Sequence, residues 1–161
     1  MVWPIPPLNI ALVEPEIPPN TGNIARLCAA TGSKLHLIEP LGFQLTSAHL
    51  RRAGLDYWDS VDMTRHASLE AFHQTQNVPR CFYFSTRARR SYTEVSYCPG
   101  DTLIFGSESK GLPGAVLDSH EEQTLGIPIL TDHVRSLNLA NSVAIVLYEA
   151  LRQISATTHH E

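Results

Sequence analysis

Apolar residues gather in short runs along the chain: Leu8 to Glu14 (LNIALVE), Leu35 to Glu39 (LHLIE), Cys81 to Ser85 (CFYFS), Thr102 to Gly106 (TLIFG) and Thr124 to Pro128 (TLGIP). Their length and near-continuous hydrophobicity predict strands of a parallel sheet covered on both faces. Between them, helical spacing of apolar positions predicts helices near Asn20 to Thr31, Ser47 to Ala53, Ser68 to Gln76 and Pro113 to Asp118, and a long one from Leu137 to Ile154. Around that last helix Leu139, Ala140, Val143, Ala144, Val146, Leu147, Ala150, Leu151 and Ile154 occupy most of the circumference. A polar strip of Asn138, Asn141, Ser142, Glu149 and Arg152 remains. A helix this apolar must be covered on more than one side, by its own domain or by a second copy of the chain. Strand and helix alternate without repeat, low-complexity stretch or linker, which predicts one layered α/β domain over residues 1–161 with flexible ends at 1–7 and 155–161.

Composition narrows this picture. The chain has 161 residues, 43% of them hydrophobic and 17% charged, which excludes a wholly disordered protein. No stretch approaches the roughly 18 to 20 apolar residues of a membrane span. Met1 to Pro7 (MVWPIPP) lacks the basic start and apolar centre of an export signal, so a cytoplasmic protein is expected. Cys28, Cys81 and Cys98 are odd in number and show no CxxC spacing, as for reduced thiols rather than a disulfide framework or a zinc site. The formal net charge is −4, yet the positive charge is unevenly spread. Arginines cluster as Arg51-Arg52 and as Arg87, Arg89 and Arg90, and the guanidinium fork suits phosphate. A solvated loop explains the same cluster, and composition alone does not separate the two.

Three segments carry candidate chemistry. In Pro18-Pro19-Asn20-Thr21-Gly22-Asn23-Ile24-Ala25-Arg26, Asn20 or Thr21 is expected to cap the first helix, whose open amides suit an anion. Helical spacing buries Ile24, Leu27, Cys28 and Thr31 and turns Arg26 outward, with Gly22 one turn before it clearing space. In Phe105-Gly106-Ser107-Glu108-Ser109-Lys110-Gly111-Leu112-Pro113, a glycine-containing loop leaves a strand end, where ligands of open α/β sheets bind. It lacks the Lys-Ser/Thr of a triphosphate-binding loop, and no G-x-G-x-x-G occurs in the chain. A plain surface turn remains the alternative. In the third segment, Ile127-Pro128-Ile129 leads to Val134-Arg135-Ser136-Leu137-Asn138-Leu139-Ala140-Asn141-Ser142, where Ser136 is expected to cap the long helix.

Taken together, EPEIPPNTGNIARLCAATG (Glu14 to Gly32), LRRAGLDYW (Leu50 to Trp58), FGSESKGLP (Phe105 to Pro113), IPI (Ile127 to Ile129) and VRSLNLANSVAIVLYEALRQ (Val134 to Gln153) resemble the SPOUT-class RNA 2′-O-methyltransferases. Within that class the likeness is to the small TrmL-type enzymes of the tRNA wobble nucleotide. It runs over about Leu8 to Gln153. It implies an α/β fold with a deep C-terminal trefoil knot, S-adenosylmethionine as cofactor, no metal, and a homodimer with its active site between subunits. It further implies cofactor contacts at Phe84, Gly106, Ile127 and Ser136, and catalytic-site positions at Asn20, Arg26, Glu108, Ser136 and Asn138. A departure from the family pattern is one extra residue between Pro128 and Arg135.

The chemistry expected of such a site is simple. A sulfonium methyl is already an activated electrophile, so the protein must align a ribose 2′-hydroxyl and let its proton leave. A guanidinium keeps its own proton near neutrality and is a poor base, so Arg26 is expected to orient the hydroxyl or a neighbouring phosphate. Glu108 is expected either to accept a proton or to hold loop backbone. The tRNA anticodon stem-loop is then expected to meet Arg51, Arg52, Arg87, Arg89 and Arg90, with Tyr57, Trp58 and Tyr92 either stacking on bases or packing. Methylation of ribosomal RNA or of another tRNA position, and a non-catalytic RNA-binding factor on the same fold, are the alternatives.

Overall fold

The computed structural model describes residues 8–45, 58–75 and 80–158. The helix expected at Ser47 to Ala53, together with Arg51, Arg52 and Tyr57, lies outside the described residues. The strands are β1 (Asn9–Val13), β2 (Lys34–Ile38), β3 (Met63–His66), β4 (Cys81–Phe84), β5 (Arg90–Ser91), β6 (Thr102–Phe105) and β7 (Thr124–Gly126). The helices are α1 (Pro18–Thr31), α2 (Leu69–Thr75), α3 (Gly114–Ser119) and α4 (Leu139–Thr158). All strand pairs are parallel, and the order across the sheet is β3-β2-β1-β6-β4-β7-β5.

Every apolar run expected to be a strand is one. Both sheet faces are covered, so neighbouring residues of one strand enter different cores. On one side Ile10 and Leu12 of β1, Leu35 and Leu37 of β2, and Leu103 and Phe105 of β6 pack against Ile24 and Cys28 of α1 and Val143, Val146, Leu147 and Ala150 of α4. On the other, Ala11, Val13, Ile38, Tyr83 and Ile104 pack against Phe72 of α2 and Leu112. Strands β3 and β5 escaped the sequence pattern because they are not apolar runs. Thr64 and Arg65 of β3 are exposed on the outermost strand, and β5 is a two-residue pairing at the opposite edge.

The second face also carries a buried polar chain. Asn9 Nδ2 donates to the Gly100 carbonyl, which leaves Asn9 Oδ1 to accept from His36 Nε2 at 3.0 Å. His36 Nδ1 must then accept from His66 Nε2, also at 3.0 Å. The Phe72 ring lies 5.0 Å from each imidazole. Burial and the neighbouring His66 hold His36 down to about 4.

Two helix starts differ from the sequence expectation. Helix α1 begins at Pro18, and Ile17 precedes it with no side-chain cap, so neither Asn20 nor Thr21 caps it. Both lie within the first turn, where prolines suited to that position have displaced the start. Helix α4 begins at Leu139, and its cap is Asn138 rather than Ser136. The Asn138 Oδ1 accepts the Asn141 amide at 3.2 Å, the geometry of an N-cap bonded to the third helical residue.

Candidate active site

The carboxyl ends of β4, β6 and β7 open into one cleft of about 650 Å³. Its walls come from residues 84–87, 105–112 and 135–139 and from Leu125, Ile127 and Ile129, with Ile17 just before α1 and Asn20 in its first turn. Placement beyond the carboxyl ends of adjacent parallel strands is where open α/β sheets bind ligands. Apolar and polar surface meet there. Phe84 and Phe105 stack with ring centroids 4.7 Å apart and planes 12° apart, forming an aromatic wall beneath the loops. The loop after β6 folds tightly on itself: a Cβ at Gly106 would lie 2.1 Å from the Gly111 carbonyl carbon, and Gly111 has a φ of +67°. Glycine at 106 therefore serves the close approach of two backbone strands within the loop, and Gly111 a left-handed turn.

Glu108 ties the three segments together. Its carboxylate accepts from the backbone amides of Glu16 at 2.8 Å and Ile17 at 3.2 Å, and from Asn20 Nδ2 at 3.4 Å. The carboxylate that meets the two amides just before α1 is thus a side chain from 92 residues later, while the helix amides of Asn20 and Thr21 bond the Ile17 carbonyl. Asn20 Oδ1 in turn accepts from Asn138 Nδ2 at 3.0 Å, and Asn138 caps α4. One hydrogen-bonded line runs from the amides before α1, through Glu108, Asn20 and Asn138, to the first turn of α4. A second tie joins the same loops: Ser109 Oγ donates to Glu16 Oε1 at 2.6 Å, and that hydrogen bond leads the causes holding the Glu16 carboxyl below its ordinary range.

The structure brings most of the sequence-designated residues to this place. Phe84, Gly106, Ile127, Ser136, Asn20, Glu108 and Asn138 all line the cleft. Arg26 does not: it is exposed on α1, outside the cleft wall, while Gly22, expected to clear space before it, is buried. Among the arginines, Arg87 lines the cleft and Arg89 is exposed. Arg90 donates to the carbonyls of Glu122 at 3.1 Å and Glu94 at 3.0 Å. Trp58 and Tyr92 pack partly buried against the core, the packing alternative for both. Sequence reasoning passed over Lys110 and Arg135, which also line the cleft. The signal was available, since Arg135 directly precedes Ser136 and Lys110 follows Ser109 within the same motifs.

Comparison with known proteins places this geometry. The SpoU rRNA methylase family profile matches residues 7–148. The chain belongs to the SpoU methylase family. A tRNA (cytidine(34)-2′-O)-methyltransferase of Escherichia coli strain K12 is 51% identical over 148 residues, covering 91% of this chain and 94% of that protein. A protein of Listeria monocytogenes serotype 4b, named a putative enzyme of the same activity, is 47% identical over 150 residues, covering 91% and 88%. A solved structure described as giving insight into 2-OH methylation of C/U34 on tRNA superposes with a TM-score of 0.86 at 50% identity, covering 91% of this chain and 95% of that one. An AdoMet-bound rRNA methyltransferase from Sinorhizobium meliloti superposes with a TM-score of 0.80 at 25% identity, covering 94% of this chain and 58% of that one. The parallel α/β sheet of this chain is thus the fold of SpoU methyltransferases.

Proposed function

We propose that the protein transfers the methyl group of S-adenosylmethionine to the ribose 2′-hydroxyl of the wobble nucleotide, a cytidine or modified uridine, in a tRNA anticodon loop. The observation that carries this reading is the convergence of three strand-end loops on one cleft, in a chain about half identical, over nine-tenths of its length, to enzymes named for that reaction.

The cleft suits the cofactor. At about 650 Å³ it falls within the range of small-molecule sites, and it offers an aromatic wall at Phe84 and Phe105 beside the backbone of the loop after β6. Phe84, Gly106, Ile127 and Ser136 are the residues to hold it. When bound, S-adenosylmethionine supplies a methyl group activated by its sulfonium.

The chain's own groups position the acceptor. Glu108 accepts three N–H groups and so acts as an anchor of the Glu16 and Ile17 amides before α1 and of Asn20 rather than as a base. Asn20 and Asn138, each with its amide oriented by the other, fix the cleft floor. Arg26 orients the 2′-hydroxyl or an adjacent phosphate through its planar fork. Because Arg26 lies outside the cleft of its own chain, it serves the cleft of a second copy in a homodimer. Support for that assembly comes from apolar side chains left exposed near α1 and α4: Ile17 at 45%, Ile145 at 37% and Tyr148 at 45%. The resemblance adds a deep knot formed by the cleft loops within a single domain. Arg51, Arg52, Arg87 and Arg89 supply positive charge for the RNA backbone, with Arg90 shaping the loop that carries two of them. A cytoplasmic place of action fits a tRNA substrate, and among the described residues no helix is long and apolar enough to cross a membrane.

Transfer of labelled methyl from S-adenosylmethionine to tRNA lacking the modification, followed by nucleotide mapping, tests the whole reading. Label on the ribose of nucleotide 34 is expected. Label elsewhere overturns the substrate, and absence of label despite cofactor binding favours a non-catalytic RNA-binding factor. Arg26→Lys is expected to lose turnover at least about tenfold, and wild-type turnover would overturn the fork's role.

A further inference from the structure

A second cleft, of about 620 Å³, lies at the edge of β4. Strand β7 pairs with β4 only at Tyr83 and Phe84, so Cys81 and Phe82 have no partner in β7, and the space beside them stays open. His73, Tyr83 and His120 meet there: the Tyr83 hydroxyl lies 3.2 Å from His73 Nε2, and the His120 ring stacks on Tyr83 with centroids 4.3 Å apart. His120 Nδ1 donates to the Val116 carbonyl at 2.8 Å, which leaves Nε2 as an acceptor with no hydrogen bond among the described residues. His73 Nδ1 and the Gln123 side-chain amide are likewise unengaged among the described residues, and both residues line the cleft.

The charges argue against an anion. Arg80 is held by Asp101 at 2.8 Å and by the Ser96 carbonyl at 2.7 Å, and Arg90 by the carbonyls of Glu122 and Glu94. Glu94 itself lines the wall. What the cleft offers instead is the half-buried imidazoles of His73 and His120, the exposed guanidinium of Arg90 and the exposed Gln123 amide, planar and hydrogen-bonding groups of the kind that receive an unstacked base. Its position supports the same ligand. Arg87 lines the first cleft and Arg90 the second, and three Cα steps can separate them by no more than about 11 Å. We propose that this second cleft binds an unpaired base of the same RNA strand whose ribose enters the first, an inference that rests on the RNA-methylating reading above. The shared chemistry, a planar heteroaromatic ring, could also come from a free nucleotide.

The test uses an anticodon stem-loop RNA carrying an abasic residue at each loop position in turn, bound to wild type, His120→Ala and Gln123→Ala. For wild type, one position other than the target is expected to weaken binding about tenfold or more. The His120 and Gln123 variants are expected to bind intact RNA correspondingly less well and to lose little further with that abasic RNA. Gln123, exposed and without side-chain hydrogen bonds among the described residues, controls for misfolding at His120, with melting temperature measured for both. If both variants bind and methylate intact RNA like wild type, this proposal falls and the methyltransferase reading stands. If adenosine monophosphate binds the cleft while RNA affinity ignores both variants, the RNA source is overturned. If wild type binds no RNA, both readings fall.

Discussion

The two faces of the sheet are built from different materials. Beneath α1 and α4 the core is almost wholly apolar, from Leu8 to Ile154, and the hydrogen-bonded pair Asn20 and Asn138 sits at the starts of those helices. Beneath α2 the apolar residues are fewer, and Asn9, His36 and His66 form a hydrogen-bonded line around Phe72. The first face holds two helices whose N-termini meet at the cleft through Glu108, Asn20 and Asn138. The second holds strands together at the cost of a buried imidazole, His36, which must stay neutral for its Nδ1 to accept from His66. The contrast teaches that site geometry belongs to the helix-covered face, whereas pH sensitivity of folding belongs to the histidine-bearing one.

Phe72→Ala should break the comparison first if it is wrong. Loss of a fully buried ring is expected to cost about 3 to 5 kcal/mol in denaturant unfolding. Methyl transfer per folded molecule should not change, and a loss of turnover in still-folded protein would join the two faces. Next comes pH. His36 is held at about 4 against an ordinary 6.5, so it binds its proton more readily when unfolded. Stability is therefore full above pH 6.5 and falls as pH drops toward 4, by about 3 kcal/mol from this residue. His36→Gln should flatten that slope, and an unchanged slope would place acid sensitivity elsewhere.

On the other face, Glu108→Ala strands the amides of Glu16 and Ile17, which are partly open to water. It should cost about 1 to 3 kcal/mol and also lower kcat. Glu108→Gln, which keeps an acceptor oxygen, should recover most of the stability. A Gln variant that folds normally but has no turnover at any pH would instead make Glu108 a proton acceptor. The smallest effect is expected at Asn138→Ala, about 1 kcal/mol from the lost cap of α4, with Asn20 released on the cleft side. KM for S-adenosylmethionine should rise there, and an unchanged KM would confine Asn138 to capping.

Several features were legible in the chain itself. Continuous apolar runs marked β1, β2, β4, β6 and β7 because a sheet covered on both faces has no polar alternation to dilute them. The three motifs marked the cleft because ligand-holding residues collect where strand-end loops meet. Of the residues assigned to catalysis or cofactor contact, Arg26 alone lies outside the cleft wall, since it sits two turns into α1 and its own helix carries it away from the loops. Strands β3 and β5 were missed because they pair at the sheet margins with exposed side chains, where hydrophobic pattern carries no information. The caps of α1 and α4 were misplaced because local rules weigh neighbours in sequence, and the group that holds the amides leading into α1 comes from Glu108.

Composition and periodicity by themselves determined a covered parallel sheet, an apolar last helix and the residue types gathered at the strand ends, all consequences of burial and of local backbone preference. Tertiary structure alone decided which amide meets which carboxylate, that Asn20 and Asn138 face each other across 118 residues of chain, and that His36 and His66 share a hydrogen bond. Such contacts depend on distances and directions between elements, which strand order and loop path set and which spacing along the chain does not encode.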